Sequence, residues 1–276
     1  MRTKAVLISM LFLAACASEL RPIDPPHLRA ALEAESDGAK RYQRGDYFVA
    51  ARRFAEAARI FASIDNATGI ARNRLHLARA ELAQGKAEAA LQILDLAKPG
   101  GSGLALETLL VKAQTLLSLG RVDAARQNLA AAAAQCTRAC PLFASLNLLQ
   151  ARAALADKRA ADGLAHAQTA LAWLKDKDEA TETGNAWRLI AAARLAGDDA
   201  SGALPAAYSA LEIDRKLALP EKIASDWLLI GDIQRKLGAG GTAAAYQRAL
   251  DISKAAALAE MTGLATRALA EINKAK

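Results

Sequence analysis

The feature that most constrains this chain is a long-range rhythm of apolar helical segments. From Ala30 onward apolar residues return every three or four positions in segments of 12 to 18 residues, divided by short Gly, Asp, Asn or Pro punctuation. The expected helices span 29–44, 48–63, 67–84, 86–97, 103–118, 122–135, 141–156, 160–175, 180–196, 201–216, 221–237, 242–257 and 260–274. That makes six hairpins and a closing helix. Turn glycines fall at Gly45, Gly85, Gly120, Gly197 and Gly238, with Lys158 in the equivalent place between Gly120 and Gly197. Neighbouring turns lie 40 and 35 residues apart, and the last pair 41. A unit of that length cannot bury its apolar face alone, so the units must stack side by side.

Composition supports helices over sheet. Alanine fills 70 of 276 positions, the apolar fraction is 53%, and aromatics supply only 4%. Small residues on this scale suit close helix packing and disfavour strands. Three histidines, three cysteines and no glycine-rich loop leave little material for the commoner catalytic designs. His27, His76 and His166 are scattered, and His76 has no ligand at one-turn spacing, so no metal site is expected. Glu56, Glu81 and Asp157 are scattered without a recognisable catalytic constellation.

The units resemble tetratricopeptide repeats over roughly residues 36–257. Trp187, Ile190, Ala191 and Gly197, then Ala203, Ala207 and Ala210, match the family pattern of a large wedge, a small contact, a turn and a small-residue face. Trp227, Ile230, Gly231 and Gly238, then Tyr246 and Ala249, repeat it with the tryptophans 40 residues apart. Earlier copies are degenerate. Gly45, Ala50, Phe54 and Ala57 fit the first, Ala78, Gly85, Ala90 and Leu94 the second, and Ala113, Gly120, Ala125 and Leu129 the third. The fourth keeps Ala151 and Ala170 but has Gly163 where alanine is usual. Several units run to about 40 residues against a family consensus of 34, and such elongated units are similar to the longer-helix repeats of some regulatory scaffolds. The resemblance implies an all-α, right-handed superhelical solenoid of antiparallel helix pairs, about six units plus a C-terminal capping helix over 29–276. Trp187, Trp227 and Gly231 are expected in its core, with tryptophan filling the gap that small residues leave.

The N-terminus carries a second resemblance. Arg2 and Lys4 precede an apolar stretch from Ala5 to Ala15, too short for a bilayer core that needs about twenty residues, so 1–15 reads as a signal segment. It ends in Leu13, Ala14, Ala15, Cys16, which is similar to the lipobox of bacterial lipoproteins. The resemblance implies cleavage before Cys16 and acylation of that residue. Each buried methylene then contributes about 0.8 kcal/mol to membrane attachment. Ala17 stands where an aspartate favours retention at the inner membrane, so the implied address is the outer membrane, lipid-anchored and facing the periplasm. Residues 16–28, with Pro22, Pro25 and Pro26, read as an extended tether. Losing Arg2 and Lys4 lowers the formal charge from +7 to +5, which supports a surface patch and no claim on nucleic acid.

Several residues are candidates for contact. Between Ser36 and Ala80 there are nine basic residues against the four acids Asp37, Asp46, Glu56 and Asp65. Arg41, Arg44 and Arg52 in that stretch either hold a partner's carboxylates or anionic lipid heads, or shield the end of the solenoid with their stems. In this fold the groove is lined mainly by first helices, which makes Arg74, Lys112, Asn147, Arg188 and Gln234 groove candidates, although their helical phases disagree. Tyr42, Tyr47, Phe48, Phe54 and Phe61 cluster in the first hairpin as a second candidate surface. Cys136 and Cys140 bracket one turn, and an oxidising compartment with this spacing favours a disulfide over two buried thiols or a redox or metal role. Ala130 to Ala134 is expected to pack closely against a neighbour, and Lys175 to Glu179 to form a solvated bend.

Nothing in such a scaffold needs a cofactor. The expected activity is the holding of protein partners of the cell envelope, in envelope or pilus and secretin assembly. The rival is a lipoprotein that binds or regulates peptidoglycan enzymes. Catalysis by the chain itself ranks below both, and self-association of two solenoids stays compatible with either.

Overall fold

A computed structural model describes residues 25–96 and 102–274. The expected signal segment, Cys16 and most of the tether lie outside the described residues. Thirteen helices follow one another: α1 (Pro26–Gln43), α2 (Tyr47–Ser63), α3 (Ala67–Ala83), α4 (Ala87–Leu96), α5 (Ser102–Ser118), α6 (Val122–Ala133), α7 (Phe143–Ala156), α8 (Ala160–Leu174), α9 (Ala180–Ala196), α10 (Ala200–Lys216), α11 (Pro220–Leu237), α12 (Thr242–Ala255) and α13 (Ala259–Lys274). Every expected helix is present. The largest shift is at α1, which begins at Pro26: proline at the first helical position lacks an N–H that the helix leaves unused there, so Pro26 opens the helix and does not extend the tether.

Most turns share one device. A left-handed residue follows the C-cap at Gly45, Asp65, Gly85, Lys158, Asp198, Ala218 and Ala257, stands in the turn after α5 at Gly120 and is the C-cap itself at Gly238, whereas the turns after α6 and α8 have none. The next N–H then reaches back to the carbonyl five residues earlier, as in Asp46 to Arg41 at 3.0 Å, Arg159 to Ala154 at 2.8 Å and Leu258 to Ser253 at 2.8 Å. This closes the last turn of the helix and starts the next helix at a fixed angle. The expected turn glycine Gly197 is displaced by one. Its φ is −92° as a C-cap, and Asp198 carries the left-handed conformation at 62° while Asp199 caps α10 by accepting from the Gly202 N–H at 2.8 Å.

Helices pair antiparallel along the chain, and the capping helix α13 closes α12. The layers differ. First helices of successive pairs touch, α3 with α5, α5 with α7, α7 with α9, α9 with α11 and α11 with α13, whereas no comparable contact joins successive second helices among the described residues. A wall with one layer packed and the other spread bends toward the packed layer, so the odd-numbered helices form the inner face. One apolar cluster runs from Ala144 on α7 to Ala265 on α13, while the earlier half divides into smaller clusters.

Close approach within a hairpin depends on one small residue in the first helix. Gly231 is covered by the Tyr246 ring of α12, which an added Cβ would penetrate, and a Cβ on Gly38 would meet the Phe54 ring of α2 at 2.8 Å. Tyrosine from the second helix, not tryptophan, therefore fills the space above Gly231. Trp227 is 6% exposed, lies edge-on to Tyr208, and is flanked by the guanidinium groups of Arg215 and Arg248 at 5.2 and 4.6 Å. Trp187 is only half-buried at the margin of the same cluster, which corrects its expected place inside the core. The Ala130 to Ala134 run is corrected as well: Ala132 alone is buried, and the others are the exposed back of α6.

Gly231→Ala should destabilise the fold by about 1–3 kcal/mol through overpacking against Tyr246. Urea denaturation followed by circular dichroism reads this, and an unchanged midpoint would show that the two helices are not held this close.

Candidate functional site

Four of the nine basic residues in the first units are paired with acids that folding brings to them. Arg41 pairs with Asp37 and Asp46, and Arg53 with Asp37 and Glu56. Arg72 makes a two-pronged pair with Glu35 at 2.5 and 2.7 Å, and Arg79 reaches Glu107 at 2.9 Å. Both of those acids lie outside the Ser36–Ala80 window in sequence. Burial opposes ionisation of Glu35, but hydrogen bonds from Arg72 and Asn73 outweigh it and hold its carboxyl below the usual range. Arg44 and Arg52 are exposed without an ion pair among the described residues, and Arg52 lines an open hollow of about 530 Å³ on α2 with Val49, Arg53, Glu56 and Arg59. Phe54 and Phe61 are buried, so of the aromatic cluster Phe48, 60% exposed, is the one fully offered to solvent.

The groove candidates go to different places, and the helical phase explains where. Counting from the small packing residue of each first helix, Arg74 and Asn147 lie four positions before Ala78 and Ala151 and so face their own second helix. Arg74 donates to the Leu96 carbonyl at the end of α4 at 3.2 Å. Asn147 is 5% exposed, donates to the Phe143 carbonyl and meets His166 Nδ1 on α8 at 3.3 Å, which corrects it from a groove position to a hairpin interior. Lys112 pairs with Asp95 on α4 at 2.5 Å. Gln234 is corrected in the same way: its Oε1 is buried without a partner and its side chain lies beside Gly241 in the turn below α11.

Arg188 differs in joining three helices at once. Its guanidinium bridges the carboxylates of Asp214 on α10 and Asp226 on α11, with Nε to Asp226 at 2.6 Å, and also donates to Asn185 Oδ1 at 3.0 Å. Both aspartates are fully buried, and Asp214 Oδ1 and Asp226 Oδ2 have no hydrogen-bond partner. Burial, opposed by Arg188 and reinforced by the adjacent Asp214, pushes the Asp226 carboxyl up to about 6. Arg152, which no phase-blind reading of the sequence singles out, lies one position after Ala151 on the same inner face. It is exposed, yet crowded enough that desolvation and then the Arg188 charge hold its pKa below the ordinary arginine value. Further along, Leu195, Asp232, Arg235 and Lys236 line an open hollow of about 600 Å³ between α9 and α11.

Cys136 and Cys140 form a disulfide with Cα atoms 5.2 Å apart. The loop it closes is tied to α8, where Trp173 Nε1 donates to the Arg138 carbonyl at 2.9 Å and Lys177 lies 3.9 Å over the indole. Lys175 to Asp178 are exposed, as a solvated bend requires. Among the described residues no three His, Cys, Asp or Glu side chains gather to hold a metal ion, and no helix is long and apolar enough to cross a membrane.

No protein-family model matches the chain, and no curated protein matches it. Solved structures do. The chain is similar to the APC/C hetero-tetramer Cut9–Hcn1, at 16% identity and TM-score 0.70 over 88% of this chain and 44% of that one. It is similar to a Rap protein complexed with competence and sporulation factor, at 13% identity and TM-score 0.68 over 90% and 72%. It is also similar to a signal-transduction ATPase with a tetratricopeptide repeat sensor from Pyrococcus horikoshii, at 13% identity and TM-score 0.59 over 88% and 38%. The chain thus spans less than half of the first and third. At these identities the likeness is one of fold, a tetratricopeptide-like solenoid.

Two outcomes follow for the Arg188 cluster. Arg188→Met strands two buried carboxylates and should cost about 3–5 kcal/mol in urea denaturation; a loss well under 1 kcal/mol would mean that the bridge is not formed. Asp226 has the opposite pH dependence from an ordinary paired acid. Between its unfolded value of 3.8 and about 6 the folded state holds a proton that the unfolded chain has released, so this group adds stability as pH falls. The parent should gain about 1 kcal/mol relative to Asp226→Asn between pH 7 and pH 5. A difference that does not change over that range would contradict the raised pKa.

Proposed function

We propose that the chain is a scaffold that holds protein partners of the cell envelope along its inner wall, anchored by lipid on Cys16 at the outer membrane and facing the periplasm. The observation that carries this reading is the continuous inner layer from α3 to α13, which displays long polar side chains over open hollows. Such a surface suits an extended peptide or a partner's helix, bound by many contacts distributed over several units. Two solved proteins of this fold were captured with another component, Cut9 with Hcn1 and a Rap protein with competence and sporulation factor. A disulfide in the α6–α7 turn suits an oxidising compartment such as the periplasm. The lipobox-like Leu13 to Cys16 supplies the anchor, and the segment between Cys16 and Pro26 supplies the reach.

Photo-crosslinking residues placed in the full chain test the reading. Positions Gln114 and Ala192 on the inner layer should capture an envelope protein, while Gln127 and Gln168 on the second helices should not. A secretin or barrel component among the products supports an assembly role, whereas a peptidoglycan hydrolase or synthase would transfer the scaffold to cell-wall control. Capture from the second helices alone would overturn the inner-wall assignment. In the same cells Cys16→Ser should move the protein from the membrane fraction to the soluble fraction, and full retention on the membrane would remove the lipid anchor from the account.

A further inference from the structure

Among the second helices, α2 differs in what its outer face carries. Three arginines against one glutamate leave it at a formal +2, whereas the other second helices range from −2 on α4 to +1 on α12. Phe48, Arg52, Ala55, Arg59 and Ala62 follow one another at helical spacing as a single exposed stripe. Arg52, Arg53, Glu56 and Arg59 border the same open hollow above Val49. The one acid, Glu56, is engaged by Arg53 at 2.9 Å, and Arg53 also reaches Asp37 at 2.7 Å. Arg52 and Arg59 are exposed and have no ion pair or hydrogen bond among the described residues. Lys86, paired with Glu81 in the turn before α4, places its Nζ 6.0 Å over the Phe48 ring.

Shielding by long stems does not explain this stripe. Ala55, between the two arginines, offers little apolar surface to cover, and Phe48, which offers much, is left 60% exposed. A ring standing in water beside unpaired guanidinium groups suits the boundary of an anionic bilayer, where the ring leaves water and the guanidinium forks meet lipid phosphates. The location fits as well. Because α1 and α2 are antiparallel, the last turn of α2 lies beside Pro26, where the segment from Cys16 arrives. That segment spans at most about 35 Å and α2 is about 25 Å long, so a chain anchored at Cys16 can lay the whole of α2 on the surface.

We propose that the outer face of α2 docks on an anionic bilayer, with Phe48 entering the interface and Arg52 and Arg59 on lipid phosphates. This rests on the membrane-anchor reading above and adds the orientation. Since α2 belongs to the outer layer, docking turns the inner wall away from the membrane and leaves it open to partners.

A polarity-sensitive fluorophore on Ala55→Cys, with Ala130→Cys on α6 for comparison, tests this in the full chain purified from membranes and reconstituted in vesicles of phosphatidylcholine alone or with phosphatidylglycerol. The Ala55 label should brighten and shift to the blue only with phosphatidylglycerol, and the Ala130 label should not respond. An arginine near an anionic surface raises the docked-to-free ratio about fivefold, and removing the Phe48 ring from water raises it about tenfold. Arg52→Ser with Arg59→Ser should therefore lower the ratio about twenty-five-fold and Phe48→Ser about tenfold. Lys254→Ser with Lys274→Ser, which removes the same charge from the far end, should leave it unchanged. Melting temperatures of the arginine variants should match the parent's, because neither side chain has a partner to lose. Salt at 1 M, where the screening length falls to about 3 Å, should abolish the response. A silent Ala55 label with phosphatidylglycerol, an equal response at Ala130, or an undiminished response in the double arginine variant overturns the proposal. Loss of the response to inorganic phosphate at constant ionic strength overturns the bilayer assignment in favour of a small-anion site. Vesicle flotation separates the two readings. Flotation with both vesicle types while the Ala55 label stays silent keeps the anchor and removes the docking face, whereas flotation with anionic vesicles alone, with the label responding, keeps the face and removes the anchor.

Discussion

The rest of the architecture depends on how closely two helices of a hairpin can approach. That distance is set by one glycine or alanine per first helix, at Gly38, Ala78, Ala113, Ala151, Ala191 and Gly231, each facing a residue about sixteen positions later on the second helix. Where the first residue is glycine the second is an aromatic ring, as at Gly38 with Phe54 and Gly231 with Tyr246. Where it is alanine the opposing residue is smaller, down to Ala151 with Ala167 and Ala191 with Ala207, all fully buried. Glycine with an aromatic ring and alanine with leucine fill similar combined volumes, whereas the alanine–alanine pairs fill less and bring their helices closer. A core built so largely from alanine is thin, which leaves the long side chains of the first helices for the inner surface.

Successive units are then locked by polar contacts that carry the same period. Glu35 to Arg72, Arg188 to Asp226, Lys236 to Asp198 and Arg235 to Glu271 each join residues 36 to 38 apart. Most of these are half-exposed and contribute little each. Arg188 differs because its two partners are fully buried, so the bridge costs desolvation and returns it as a fixed relation among three helices. The cluster therefore ties α9, α10 and α11 together at one point of the inner wall.

Helix positions were legible because each is written locally in apolar spacing and turn residues, and the expected segments agree with α1 to α13 to within three residues. Gly197 shows the limit of that reading: glycine marks a left-handed turn only statistically, and in this turn Asp198 adopts it with Asp199 as the cap. The disulfide was legible from its spacing. The groove was not, because residue type does not reveal phase. Arg74, Lys112 and Asn147 look like surface residues in a list, yet Arg74 and Asn147 reach the second helix of their own pair and Lys112 reaches α4 of the preceding pair. Counting one residue beyond the small packing position would have found Arg79, Gln114 and Arg152. Neither Asp214 nor Asp226 carries a sequence signal, since what makes them matter is Arg188 from another helix.

The account stands on an inner layer of first helices that is closer-packed than the outer layer of second helices. Spin labels at the equivalent positions Gln114 and Arg152 on α5 and α7, and at Ala130 and Gln168 on α6 and α8, measure this directly by pulsed electron paramagnetic resonance. The inner pair should be separated by the shorter distance, with a narrow distribution. Equal distances, or a shorter outer pair, would mean a wall that is flat or curved the other way, and the assignment of its contact surface would be wrong.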